Sequence, residues 1–356
     1  MRTHITLHFD VNETLILSDS AGGDTYEDTV NKVITKAIEV FVDPNTSSTT
    51  ILPSPPSSSP SPTPTPLNLN SPPIIQSFLL PPNHTTYYRS PLKPTVPTFL
   101  TTPLGSSFKS LHTTLESSML APPHTPPSLS RPHPTSGIKT HYILPSFFKL
   151  LSHLSKTRRS HSVIIRTFGD DVEEIIQALK DFSSGKMPGY ESYKSNNIFK
   201  DLHHVHGRHI SLPGGGKEFL LFTPSGSPIT KTEVETEAYI RARPSLAVSD
   251  DYKSWSEGGC SPGLGKPVWV GNGSGRHEVF FDDNIHPSST DSIVSVRRWD
   301  GGRWVFVGGE EQIREEGRSI VRVVTLKAAM DEEYYVKELE RCMRTIGEKG
   351  ERNGTG

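Results

Sequence analysis

Cysteine is nearly absent from this chain: its 356 residues include only Cys260 and Cys342. Two thiols cannot build a disulfide framework or a cysteine-based zinc site, and so few of them fit a reducing compartment. An excess of charge of one sign is also lacking, the formal net charge being −2. That balance gives no global preference for nucleic acid or for an anionic membrane surface. No run approaches the roughly 18 apolar residues of a membrane span. Met1 leads directly into an apolar-alternating stretch, without the apolar block of a signal peptide. These absences predict a soluble, cytoplasmic chain with neither a nucleic-acid nor a membrane partner.

Apolar residues make up only 33% of the chain, and one segment accounts for much of the deficit. Of the 31 prolines, 22 lie between Pro44 and Pro134, a stretch whose sole acid is Glu116 and whose Lys and Arg are Arg89, Lys93, Lys109 and Arg131. Runs of Ser, Thr and Pro such as Ser57 to Pro64 bury too little surface to offset their chain entropy. Residues 44–137 are therefore expected to be a long disordered Pro/Ser/Thr-rich insertion, a kind of loop whose closure costs little extra entropy. Its Ser-Pro and Thr-Pro steps, Ser54, Ser90, Thr102 and Thr125 among them, are candidate sites for proline-directed kinases, and its PxxP stretches could meet a polyproline-binding partner. The remainder, roughly 250 residues, suffices for one α/β domain with a sizeable core.

Within that remainder the hydrophobic periodicities alternate between strand and helix. Ile5 to Phe9 reads as a strand. Tyr26, Val30, Val33, Ile34, Ala37, Ile38 and Phe41 recur at helical spacing behind a cap at Asp24 or Thr25. A helix carrying Phe147, Phe148, Leu150, Leu151 and Leu154 leads into a strand from Ser162, and another carries Val172, Ile175, Ile176, Leu179 and Phe182. Strand signals return at Ser245 to Ser249, Pro267 to Gly271, Glu278 to Asp282, Ser292 to Val296, Arg303 to Val307 and Ser319 to Val324, before a charged amphipathic helix from Lys327 to Ile346. Such alternation predicts a doubly wound parallel sheet, Rossmann-like in class. The expected division is residues 1–43 as first strand and helix, 138–347 as the rest of the same domain, 183–244 as a small cap or insertion within it, and 348–356 as a flexible tail.

Three strands end in reactive side chains. The first delivers Asp10-Val11-Asn12-Glu13-Thr14-Leu15. Ser162-Val163-Ile164-Ile165-Arg166-Thr167-Phe168-Gly169 ends in a hydroxyl, and Glu278-Val279-Phe280-Phe281-Asp282-Asp283-Asn284 ends in paired acids. In open α/β sheets the chemistry collects beyond the carboxyl ends of the strands. A carboxylate there can be a nucleophile or a metal ligand, and acids brought together repel unless a proton or a cation joins them. Oxygen-only ligands suit Mg²⁺. With Lys266 in Gly265-Lys266-Pro267, these motifs in this order resemble the haloacid dehalogenase-like hydrolase superfamily, and the resemblance spans nearly all of the chain outside the insertion. It implies a nucleophile and Mg²⁺ ligand at Asp10, a second ligand through the Asn12 carbonyl, phosphoryl binding by Thr167 and Lys266, and completion of the metal site by Asp283, with Asp282 as its rival. The activity implied is hydrolysis or transfer of a phosphoryl group from a small molecule or a phosphoprotein.

One position departs from that pattern. Phosphatases of this superfamily carry an aspartate two residues after the nucleophile, which protonates the leaving group, and an amide at Asn12 cannot. General acid–base help of that kind is worth about 10² to 10⁴ in rate. Glu13 or Asp19 could substitute. Dehalogenase-type members also lack that acid, and a binding or regulatory protein would not need it. Other features read as structural. His203, His204, His206 and His209 lack a cysteine or carboxylate at metal-site spacing and read as a solvated loop. Leu212 to Glu218 reads as a hairpin turn, Gly271 to Gly275 as a connecting loop, and Lys253 competes with Lys266 as the phosphoryl-binding lysine.

Overall fold

The computed structural model of the protein describes residues 4–19, 22–45, 49–51, 74–75, 77–191, 193, 198–213, 215–271, 276–287 and 291–352. The chain opens with β1 (His4–Asp10), α1 (Tyr26–Ala37), β2 (Glu39–Val42), β3 (Thr49–Ile51), β4 (His84–Thr86), α2 (Lys109–Ser118), β5 (Ser130–Pro132) and β6 (Lys139–His141). There follow α3 (Pro145–Lys156), β7 (His161–Thr167), α4 (Val172–Ser183), β8 (His204–Ser211), β9 (Lys217–Phe222), α5 (Glu233–Arg241), β10 (Ser245–Ser249) and α6 (Tyr252–Glu257). The last third holds β11 (Lys266–Val270), β12 (Arg276–Asp282), β13 (Val294–Asp300), β14 (Arg303–Phe306), α7 (Glu310–Glu315), β15 (Ile320–Arg322), α8 (Thr325–Met330) and α9 (Tyr334–Arg352).

The architecture is mixed α/β around a seven-stranded sheet of order β15-β12-β1-β7-β10-β8-β9, in which every adjacent pair is parallel except the edge hairpin β8-β9. The period-2 alternation divides the strands between two cores. Ile5, Leu7 and Phe9 of β1, with Val163, Ile165, Val279 and Phe281, join the side chains of α1, α3, α4 and α9 on one face. Ile164, Leu246, Val248 and Phe280 point the other way, toward α5 and a three-stranded sheet of order β11-β13-β14. Thr25 caps α1 through a reciprocal box with Asp28, whose N–H lies 3.1 Å from Thr25 Oγ1.

Five of the sequence expectations need correction. Residues 77–137 are not a disordered insertion: Phe99 (0% exposed), Phe108 (2%) and Leu115 (0%) are core residues. The apolar positions are few but correctly spaced. Val96 and Phe99 share a face of the 3₁₀ helix Lys93–Thr101, Leu111 and Leu115 share a face of α2, and Asn31 of α1 clamps the 3₁₀ helix by donating to Pro97 O and accepting from Leu100 N–H, both at 3.0 Å. Ser90 and Thr125 are buried, so the folded chain does not present those hydroxyls to a kinase. Residues 52–73, with Ser54 and most of the Ser/Thr-Pro steps, lie outside the described residues.

Residues 183–244 do not form a cap. They supply β8, β9 and α5, so they extend the main sheet, and the histidines expected in a loop lie on or beside β8, with Ser211 and Lys217 closing the hairpin. Likewise α9 continues to Arg352 rather than giving way to a tail at 348, and the single helix expected from Lys327 to Ile346 is broken between α8 and α9. Of the connecting loop at 271–275, residues 272–275 lie outside the described residues. No helix among the described residues is long and apolar enough to cross a membrane.

Candidate active site

Parallel pairing brings the acidic strand ends together. Phe9 is paired with Phe281 across β1 and β12, so the next residues, Asp10 and Asp282, leave the sheet side by side. Carboxylate oxygens of Asp10, Asp282 and Asp283 all lie within 4.8 Å of one another, and all three residues are buried. Lys266 donates from Nζ to Asp10 Oδ1 and, at 3.0 Å, to Asp282 Oδ2. It reaches them from the start of β11, in the second sheet. Gly265 makes that approach possible, because a Cβ there would collide with the Ile293 carbonyl. Lys253, the competing lysine, is exposed on α6 and 3.9 Å from Glu257.

The turn after β1 is held from several sides. Leu15 N–H donates to Val11 O at 2.8 Å, Thr325 Oγ1 to Glu13 O, and the Tyr335 hydroxyl to Thr14 O. Glu13 adopts φ +54°, a left-handed conformation rare outside glycine. Its carboxylate is gripped by two lysines of α1, Lys32 at 2.7 Å and Lys36 at 2.8 Å. Lys36 continues to Asp283 at 2.7 Å, and Lys32 to Asp19 at 2.5 Å and Asp24 at 3.1 Å. Neither lysine stood out in the sequence, since helix position alone does not tell which side chain reaches a strand end.

Three ammonium groups thus contact six carboxylates in this network. Of the six, Asp10, Asp282 and Asp283 are the three whose oxygens lie close enough together to share a cation. Burial pushes the Asp10 carboxyl well above its ordinary range; Lys266 opposes this, and the charges of Asp282 and Asp283 add to it. Asp283 is also raised, by burial first, with Lys36 opposing. For Lys266 burial acts to lower the ammonium pKa, but the surrounding Asp10, Asp282 and Asp250 charges outweigh it and the group is held above its usual range. A divalent cation would fit this donor set on charge and on ligand type.

These groups open into a cleft of about 750 Å³, lined by Asp10, Asn12, Glu13, Lys266, Phe168 and Tyr88 among others. Asn12 lines it with its Oδ1 unpartnered. Thr167 does not line it. Thr167 is fully buried, its Oγ1 accepts the Gly169 N–H at 2.8 Å, and that N–H is therefore engaged within the loop. Phe168 is the residue that reaches the cleft, its ring centroid 4.9 Å from Lys266 Nζ. Beneath it Arg166 makes a buried fork to Asp250, at 2.9 and 2.5 Å, and donates to Pro267 O at 3.0 Å, tying β7 to β10 and to the residue after Lys266. The His203 to His209 group is not among the potential metal-holding clusters of the described residues, and His204 instead contacts Glu173 and Ser249. Comparison of the chain with family models, with curated proteins and with solved structures gives no match.

Proposed function

We propose that this protein is a haloacid dehalogenase-like hydrolase that uses Asp10 as a nucleophile on phosphoryl groups, with Mg²⁺ held by Asp10, the Asn12 carbonyl and Asp282 or Asp283. The observation that carries the reading is the convergence of Asp10, Asp282 and Asp283 at the ends of adjacent parallel strands, with Lys266 bridging two of them. The parallel sheet, with helices on one face and α5 on the other, is compatible with the doubly wound fold this reading requires. The metal would neutralise phosphate oxygens.

In the proposed reaction an Asp10 oxygen attacks phosphorus, the bond from phosphorus to the leaving oxygen breaks, and an aspartyl phosphate remains for water to hydrolyse. Lys266 would hold phosphate oxygens. Thr167 supports the Phe168-Gly169 loop from below. Protonation of the leaving group is the weak step. Asn12 has no acidic proton, Glu13 has both oxygens on lysines, and Asp19, though burial acts to raise it, is held below its usual range by Lys32. The enzyme therefore favours substrates with good leaving groups, small phosphorylated molecules or phosphoproteins of the cytoplasm. The same lack of an acid favours one alternative, a catalytically impaired binding or regulatory protein of this superfamily.

The deciding experiment is turnover of p-nitrophenyl phosphate with Mg²⁺ by the native chain and by Asp10→Asn. Turnover that needs both Asp10 and Mg²⁺ supports the enzyme. Mg²⁺ binding by an intact fold with no turnover supports the alternative.

A further inference from the structure

Not every cation near the cleft is matched by a carboxylate. A smaller pocket, with about 50 Å³ of space for solvent, is lined by Lys36, Thr86, Arg89, His286 and Arg322, with Asp283, already held by Lys36, as its one acid. A single water needs only about 10–15 Å³ on such a measure, so a small polyatomic group fits. Tyr88, Arg89, Asn284 and His286 line both this pocket and the cleft, so the two spaces share a wall.

Arg322 is the telling residue. It closes β15 beside Asp282, its register partner, and so belongs to the same carboxyl edge of the sheet as the proposed nucleophile. Its guanidinium donates to Ser77 O at 2.9 Å and lies 5.3 Å from the Phe78 ring centroid, but it forms no ion pair among the described residues. Glu316, the acid it feels most, is engaged by Arg341 at 2.8 Å. Burial lowers the Arg322 pKa. Among the described residues Arg89 pairs only with Asp291, at the surface. Burial also lowers His286, and the charges of Arg89, Arg322 and Lys36 act on it in the same direction, so three cations surround one imidazole. A second, independent sign is Thr86, which is 6% exposed and whose Oγ1 has no partner among the described residues. A half-buried cation with no ion-pair partner among the described residues, and a buried hydroxyl with none to bond, point to an acceptor from outside the chain.

We propose that this pocket is a second oxyanion subsite, in which Arg322, Arg89 and the Thr86 hydroxyl bind a carboxylate or phosphate. Guanidinium forks suit either group, and the apolar walls strengthen the attraction. Because the pocket adjoins the cleft, we place in it the far end of a substrate whose phosphoryl group meets Asp10: a phosphomonoester with a second anionic group. This last step rests on the reading of Asp10 given above; the anion site itself does not.

The test uses the full chain and two probes. In Mg²⁺-free buffer, calorimetry with inorganic phosphate should show binding that Asp10→Asn retains, and that Arg322→Gln or Thr86→Val weakens, the arginine change by about 10- to 100-fold. Thr86→Val removes the donor without altering charge, and unchanged unfolding midpoints show that both variants fold. Turnover of 4-carboxyphenyl phosphate and of phenyl phosphate then separates the sources of the anion. A lower KM for the carboxylated ester that Arg322→Gln abolishes assigns the subsite to substrate. Phosphate binding indifferent to Arg322 and Thr86 overturns the subsite. Arg322-dependent phosphate binding with no turnover of either ester leaves the subsite standing as a free-anion site and removes the reading of Asp10.

Discussion

Lys36 Nζ lies 2.7 Å from Asp283 Oδ2, so the second acid of the β12 pair is tied to α1 while the first is tied to β11. The two carboxylates differ in the capacity left over. Asp282 has Oδ1 on the Asn284 N–H at 2.8 Å and Oδ2 on Lys266 at 3.0 Å, whereas Asp283 Oδ1 has only the Thr14 hydroxyl at 3.5 Å. Asp283 thus keeps the freer oxygen for a metal. Mg²⁺ should raise the unfolding midpoint of the native chain by mass action. Asp283→Asn should weaken Mg²⁺ affinity by more than the roughly 10- to 100-fold that loss of an outer hydrogen bond costs a metal site. Asp282→Asn should weaken it less. A calorimetric Mg²⁺ titration decides, and an unchanged affinity in Asp283→Asn would sink the assignment.

Asn12 lines the cleft with an unpartnered Oδ1, at the position from which a carboxylic acid could serve the leaving group. Asn12→Asp keeps the volume and adds the missing proton donor. On p-nitrophenyl phosphate, whose leaving group needs little help, kcat should rise only a few-fold. On an alkyl phosphate the gain should approach the about 10² or more expected of general acid catalysis. Equal gains on both esters would show that protonation of the leaving group does not limit turnover.

Much of the fold was legible because period and placement agree. β10 falls on Ser245–Ser249 as read, α1 starts behind Thr25, and the strands ending at Asp10, Thr167 and Asp282 were recognisable as apolar runs closed by reactive side chains. Residues 77–137 were misread because composition averages hide sparse anchors: Val96, Phe99, Phe108, Leu111 and Leu115 are few among Pro, Ser and Thr, yet each falls on an inward face. Of the site, Asp10, Asp282, Asp283 and Lys266 could be named. The partners of the site were not legible. Lys32 and Lys36 are ordinary helix lysines until α1 is packed, and Arg322 is an ordinary strand residue until β15 is placed beside β12. Sequence spacing carries strand ends well and cross-element contacts poorly.

Two histidines predict how stability responds to acid. Burial lowers His141 to about 4, and it lowers His209 to about 4 with the Arg297 charge acting the same way. Their imidazoles bind protons near pH 6.5 once unfolded, so between pH 6.5 and 4 the unfolded chain holds more protons than the folded one. Stability from these groups is present above pH 6.5 and is lost as pH falls toward 4. Each factor of ten in proton affinity is about 1.4 kcal/mol, so each histidine should cost about 2 kcal/mol between pH 7 and pH 5. Denaturant unfolding at the two pH values measures the loss, and the double variant His141→Gln with His209→Gln should have a flatter profile. A double variant as acid-sensitive as the native chain would place the sensitivity elsewhere.

The Arg166–Asp250 pair is fully buried, with both side chains at 0% exposure; it ties the end of β7 to the end of β10, and Arg166 also donates to the carbonyl of the residue after Lys266. Removing one member leaves the other charge uncompensated in a low-dielectric place. Asp250→Asn should therefore cost about 3–5 kcal/mol of unfolding free energy. Removing both charges is a different perturbation. Buried pairs replaced by apolar residues are often neutral or stabilising, so Arg166→Met with Asp250→Leu should recover most of that loss. It should not recover function. Without the Arg166 donor to Pro267 O, the start of β11 is left to its pairing with β13, and the distance from Lys266 to Asp10 should loosen. The double variant should fold with near-native stability yet turn over aryl phosphate more slowly, with the loss in kcat rather than KM. If it matched the native chain in both stability and kcat, the pair would be dispensable to the site, and the positioning of Lys266 would have to come from Gly265 and the second sheet alone.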